Sequence, residues 1–279
     1  MDLELHPLNR GFVWQTREGP PRRLSPAQVA HFDEQGFLVL EEVFDAATLR
    51  GVTAEIDPIE AQVEAFLQTR ENGKLFIGRA GALTFTPHVV LRSPGVRDFC
   101  AGAFFRDVCH DLVGPDVRLY WDQAVYKKPG DQAGFPWHQD NGYTFVEPQQ
   151  YLTCWIPLED ATLENGCPWV VPGLHRRGTL AHEMSDLGWV CLADPGERAV
   201  AAPVRAGSVL IFSSLTPHCT GPNRTEGIRK AYIVQFAPEG AVIRQPQGDG
   251  APQSVRADDP ARQFPVLVGG QAPNGGGHG

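Results

Sequence analysis

Two histidines and one carboxylate, His138, Asp140 and His218, constrain this chain more than any other feature of its 279 residues. In an extended strand successive side chains alternate faces, so His138 and Asp140 point the same way while Gln139 points away. Two ligands from one strand and a third lying 80 residues further on make a 2-His-1-carboxylate facial set. That set leaves positions open on Fe(II) for a co-substrate and O2. Arg229 follows His218 by 11 residues, and its planar fork suits a carboxylate gripped by two parallel hydrogen bonds. The pattern predicts an iron oxygenase with a dicarboxylate co-substrate.

Taken singly, each histidine fits a satisfied structural role, and a lone His-x-Asp is a weak signal. The surroundings add the specificity. His138 closes an aromatic run, Phe135-Pro136-Trp137, and His218 stands at the far end of an apolar strand that begins after the Gly207 turn. Arg229 opens a strand in which Arg229, Ala231, Ile233 and Gln235 share one face. A guanidinium on a largely apolar face needs an anion. Either a protein carboxylate such as Asp122 or a bound dicarboxylate meets that need, and the spacing from His218 favours the second.

Composition excludes several alternatives. A net charge of −9 disfavours nonspecific nucleic-acid binding, which needs lysine and arginine to displace counterions. No apolar run approaches the roughly 18 residues of a membrane span. The opening Met1–Phe12 stretch has neither a basic nor an apolar segment of the signal-peptide kind, so a cytoplasmic location is expected. Six cysteines form no Cys-x-x-Cys pair and are expected to be reduced thiols. His182-Glu183 resembles the start of a zincin motif, but the second histidine is missing.

The order of elements gives the fold class. Residues 1–23 read as an extension. Ser25-Pro26 opens a helix that ends at Gly36; a strand is expected at 37–40, then a helix from Ala46 to Phe66 broken at Pro58. Two further helices are expected, from Pro94 to about Ala103 and from Phe105 to Leu112. From Val117 onward short β runs alternate with Pro, Gly, Asn and Asp, with strands at 117–127, 135–139, 151–158, 168–171, 208–213 and 228–237. The stretch around 175–200 reads as a long loop, and 269–279 as a disordered glycine-rich tail. The expected fold is α+β with a mainly β core, a cupin-like jelly roll over about 117–238, inside one domain at 24–268.

Three stretches together resemble the phytanoyl-CoA dioxygenase family of Fe(II)/2-oxoglutarate oxygenases. They are Trp137 to Asp140, Trp155 through Asn165-Gly166 to His175, and His218 to Arg229, within a similarity spanning roughly 26–238. The resemblance implies a double-stranded β-helix with iron held at His138, Asp140 and His218. It also implies 2-oxoglutarate contacts at Arg229, Thr220, Trp155 and Gln123. The lysine that relatives place upstream for the same co-substrate has no clean match, since the 80–92 stretch offers Phe85 and His88.

The implied reaction hydroxylates a substrate while 2-oxoglutarate is decarboxylated to succinate and CO2. Substrate contacts are expected from the loop after the His-x-Asp segment, Asn141, Tyr143 and Phe145, and from Phe76 and Phe85. The expected partner is a small or medium organic metabolite, with an acyl-CoA as a variant; the oligomeric state is left open. Two other classes stay in view: a metal-dependent hydrolase or isomerase on the same barrel, and a non-catalytic binding protein.

Overall fold

The strand alternation read from the sequence is realised chiefly as two antiparallel sheets, with a two-stranded hairpin and a three-stranded sheet beside them among the described residues. The computed structural model describes residues 3–130, 134–247 and 250–273. Its principal elements in chain order are helix α1 (Pro26–Gln35), strand β1 (Phe37–Leu40), helix α2 (Ala46–Gln68), strand β2 (Leu83–Pro87), and helices α3 (Pro94–Cys100) and α4 (Ala103–Leu112). Strands β3 (Val117–Lys127), β4 (Phe135–His138), β5 (Leu152–Pro157), β6 (Pro168–Val170), β7 (Val209–Ser213), β8 (His218–Thr220) and β9 (Arg229–Pro238) follow. The larger sheet runs β1-β7-β5-β9-β3-β2 and continues into a small hairpin at 74–79. The smaller sheet orders Val200–Ala201, β6, β8 and β4.

Period two then sorts the core. Cys154, Ile156, Ile211, Tyr232, Val234 and Phe236 point from the larger sheet toward Val52 and Ile56 of α2, Val96 of α3 and Phe105 and Val108 of α4. The intervening residues Trp155, Leu210, Phe212, Ala231 and Ile233 form a second apolar cluster on the opposite face, with Phe135 and Trp169 of the smaller sheet packed against it. The helices therefore seal one face, and the other face is free to line a cavity.

Local chemistry explains the element ends. Ser25 caps α1 through a reciprocal pair with Gln28, which satisfies two otherwise orphaned backbone donors. Gly36 closes the helix at φ 82°; a Cβ there would lie 2.4 Å from His175 Nδ1, so the turn admits only glycine.

The break expected at Pro58 does not occur. α2 runs through it, because Ile56 and Ile59 are both buried against the sheet. Each contributes about 1.5–3 kcal/mol of burial, against roughly 3 kcal/mol for an interior proline. The long loop expected at 175–200 contains a hairpin, Glu183–Ser185 with Gly188–Val190, and short 3-10 turns. Residues 239–268 add strands Val242–Gln247, Gly250–Arg256 and Pro265–Leu267.

The expected extension packs onto the body: Leu5 bridges Leu180, and Trp14 donates to Asp33. Of the glycine-rich tail, 274–279 lies outside the described residues. The Gly270 N–H donates to the Pro115 carbonyl. Among the described residues no helix is long and apolar enough to cross a membrane. All six cysteines are free thiols.

Candidate metal centre

β4 ends at His138, one residue earlier than the alternation suggests, and Asp140 starts a one-turn helix, Asp140–Tyr143. The two ligands consequently do not share one strand. Gln139 between them stays extended, at φ −109° and ψ 143°, so Asp140 still returns to the side of His138. His218 opens β8 after the tight 214–217 connection from β7, and does not terminate that apolar strand. β8 and β4 pair so that His218 faces His138 directly, with ring centroids 4.1 Å apart.

One ligand atom from each of His138, Asp140 and His218 lies within 4.8 Å of the others. Asp140 Oδ1 is 4.0 Å from His138 Nε2 and 3.7 Å from His218 Nε2. Each imidazole is fixed from behind. His138 Nδ1 lies 2.8 Å from the Pro136 carbonyl and His218 Nδ1 3.0 Å from that of Thr216. A carbonyl only accepts, so both Nδ1 atoms carry the proton and both Nε2 lone pairs face the carboxylate. Burial, and next the neighbouring His218, hold the His138 pKa well below its ordinary value, which keeps that ring neutral. Thr153 Oγ1 donates to Asp140 Oδ2 at 2.5 Å, leaving Oδ1 toward the histidines. Two imidazoles with their Nε2 atoms turned inward and one oriented carboxylate are a donor set for a divalent ion of the iron or zinc kind.

The cavity beside them lies between the sheets. Gln123 and Val125 of β3, Trp155 of β5, Arg229 and Ile233 of β9, and Leu83 and Phe85 of β2 line one side; Phe135, Pro168 and Thr220 line the other. Arg229 is 1% exposed, with its Cζ 5.4 Å from the Trp155 ring centroid. Asp122 is not its partner. Cross-strand register puts Asp122 opposite Val234, on the helix-covered face, where it accepts from Tyr232 Oη and the Val90 N–H.

Lys127 went unnoticed in the sequence. It stands opposite Arg229 in register, is fully buried, and donates to the Gly221 carbonyl at 2.6 Å and to Thr220 Oγ1 at 3.3 Å. The sequence shows only a lysine at the end of a long alternating strand; that it faces Arg229 follows from the strand pairing.

The expected substrate residues divide. Phe85 lines the cavity, and the Tyr143 ring stands 5.3 Å from that of His138. Asn141 points elsewhere: it is fully buried, donates to Thr179 Oγ1 and accepts from the Val146 N–H. Phe145 is buried against His6, with ring centroids 4.6 Å apart. Phe76 is 60% exposed at a hairpin tip. The one-turn helix accounts for the first two, since it rotates the chain away from the cavity directly after Asp140.

Comparison with known proteins agrees with this geometry. A methylphosphonate hydroxylase of Gimesia maris is 28% identical over 226 residues, 76% of this chain and 80% of the relative. Phytanoyl-CoA dioxygenase domain-containing protein 1 of Mus musculus is 27% identical over 271 residues, 80% of this chain and 93% of the relative. Among solved structures, the non-heme alpha ketoglutarate dependent carbocyclase SnoK of nogalamycin biosynthesis superposes with a TM-score of 0.67 at 23% identity, covering 83% of this chain and 92% of its own. The sequence model of phytanoyl-CoA dioxygenase (PhyH) matches residues 32–231, and the chain therefore belongs to that family of iron- and 2-oxoglutarate-dependent oxygenases.

Proposed function

We propose that this protein is a dioxygenase that hydroxylates a small or medium organic metabolite, with 2-oxoglutarate decarboxylated to succinate and CO2. The observation that carries the reading is the convergence of His138, Asp140 and His218 with both Nε2 lone pairs turned toward one carboxylate oxygen. These three residues hold Fe(II), and the two sheets are the walls of a double-stranded β-helix around it. When bound, the iron with its keto acid and O2 supplies the oxidising power for attack on a C–H bond.

The chain's own groups bind, orient and exclude water. Arg229, buried beside Trp155, pairs with the far carboxylate of 2-oxoglutarate. Thr220 adds a hydrogen bond to that carboxylate. A lysine ammonium only donates, so the contact from Lys127 occupies a lone pair of the Thr220 hydroxyl and leaves its proton for the co-substrate. Trp155 walls the keto-acid pocket and Gln123 presents an amide to it. Leu83, Phe85, Val125 and Phe135 give the substrate end an uncharged surface, which suits hydrocarbon carried close to the metal and keeps water out.

The test is succinate formation in a screen of candidate metabolites with Fe(II) and 2-oxoglutarate, read together with CO2 release from the labelled keto acid. His138→Ala and Asp140→Ala should abolish turnover. Arg229→Ala should raise the 2-oxoglutarate KM by about 100-fold or more, the loss of a buried charge-assisted contact. A metal-dependent hydrolase on the same barrel would act without consuming 2-oxoglutarate, and wild-type kinetics in Arg229→Ala would remove its assigned role.

A further inference from the structure

Residues 3–12 lie across the 177–182 segment, and that segment in turn lies against the turn carrying the metal ligands. On the outer side, the His6 N–H donates to the Thr179 carbonyl at 3.0 Å and the Ala181 N–H to that of Glu4 at 2.9 Å. On the inner side, the Leu180 N–H donates to Gln139 Oε1 at 2.6 Å. Gln139 Nε2 donates to the carbonyls of Gly178 and Leu215, and the Gln139 N–H to His182 Nε2. Gln139, the residue between two ligands, is thus held on three sides.

A side-chain relay crosses the same layers. Asn141 Nδ2 donates to Thr179 Oγ1 at 2.7 Å, Thr179 Oγ1 to Gln149 Oε1 at 2.8 Å, and Gln149 Nε2 to Asn9 Oδ1 at 3.2 Å. Asn9 Nδ2 ends the relay on the carbonyls of Arg177 and Thr179, both at 2.9 Å. Asn9, Asn141, Gln149 and Thr179 are all buried. Every bond runs in one direction, because the terminal carbonyls only accept and the Thr179 hydroxyl has a single proton. Turning either terminal amide over would set donor against donor, or acceptor against acceptor. Gly178 records how closely the layers fit: at φ 74°, a Cβ on it would lie 2.6 Å from Asn9 Nδ2.

We propose that Asn9 is a positioning residue for the metal centre, acting through Thr179 and Asn141 to fix the turn that presents Asp140. The proposal rests on the iron-site reading above. A half-satisfied buried network is costly, so breaking one member loosens the 177–182 segment and, through Gln139 and Asn141, the angle at which Asp140 meets the two imidazoles. Arg229 belongs to the other sheet and is left in place.

The test is titration of the metal-free protein with Co(II), followed by its visible d–d absorption, with 2-oxoglutarate KM measured alongside in the Fe(II) enzyme. Asn9→Asp keeps the shape but sets an oxygen against two carbonyls. It should weaken Co(II) binding by about tenfold, change the d–d envelope, and leave the 2-oxoglutarate KM unaltered. Thr179→Val, of equal size but without the relay hydroxyl, should do the same, and Thr179→Ser should restore wild-type affinity; this pair decides the matter if Asn9→Asp does not fold. Wild-type affinity and spectrum in folded Asn9→Asp or Thr179→Val would overturn the role of Asn9 alone. A wild-type protein that takes up no Co(II) would overturn the metal centre, and this proposal with it.

Discussion

Thr153 shows how much of the metal centre depends on a single neutral hydroxyl. Its donation to Asp140 Oδ2 selects which carboxylate oxygen faces the histidines, and an isosteric valine would leave that carboxylate free to rotate. Thr153→Val should weaken Fe(II) affinity by about tenfold, measured by anaerobic titration of the metal-free protein, and Thr153→Ser should not. An unchanged dissociation constant in the valine variant would show the bond to be idle. The ligands themselves were legible from the sequence, because alternation along a strand and a short extended link are local properties. Thr153 and Lys127 were not, since each acts on a residue outside its own strand, and the tertiary contact that joins them is written nowhere in the local pattern. Asn141 and Phe145, expected at the substrate, do not line the cavity, because a single turn of helix, too short to show a period, redirects the chain after Asp140.

At the scale of elements, burial on one face decided what punctuation alone could not. The strands at 117–127 and 228–237 were read within a residue of their final bounds, because their alternating apolar positions run long. Pro58 was read as a stop, yet the buried positions on both sides of it keep α2 continuous. Pro58 itself faces solvent, and its missing N–H leaves one helix carbonyl without its usual donor. Pro58→Ala should therefore raise stability by about 1–3 kcal/mol, offset in part by the greater freedom of the unfolded chain. A calorimetric Tm above wild type checks it; a lower Tm would mean that the unfolded-state effect dominates. The hairpin within 175–200 left no trace in the pattern because Glu183–Ser185 is exposed and Gly188–Val190 is only three residues long, too short for an apolar alternation to show.

The molecule as a whole buries imidazoles in neutral form, and that sets its response to acid. Burial pushes His175 and His182 each down to about 4. A histidine depressed in the fold and ordinary when unfolded leaves stability intact above the unfolded value near 6.5, and loses it as pH falls through that value toward 4. Each such group should contribute a slope of about 1.4 kcal/mol per pH unit between those limits. Asp122, pushed up to about 6 by burial, works the other way: it costs stability above pH 6 and the cost disappears as pH falls toward 4. His88, likewise pushed down to about 4 by burial, and His138 act in the same sense as these two, so the histidines outweigh the one raised aspartate and acid is destabilising. Tm recorded from pH 7 to pH 4 should fall, and a flat profile would contradict neutral burial of the rings.

The direct pairing of His218 with His138 across two short strands has a further result. Side chains alternate faces, so a slip of one residue in either strand would turn one imidazole to the outside of the sheet. Ion uptake is then an assay for correct assembly: a chain that folds with the smaller sheet misaligned cannot load metal, however native its helices look.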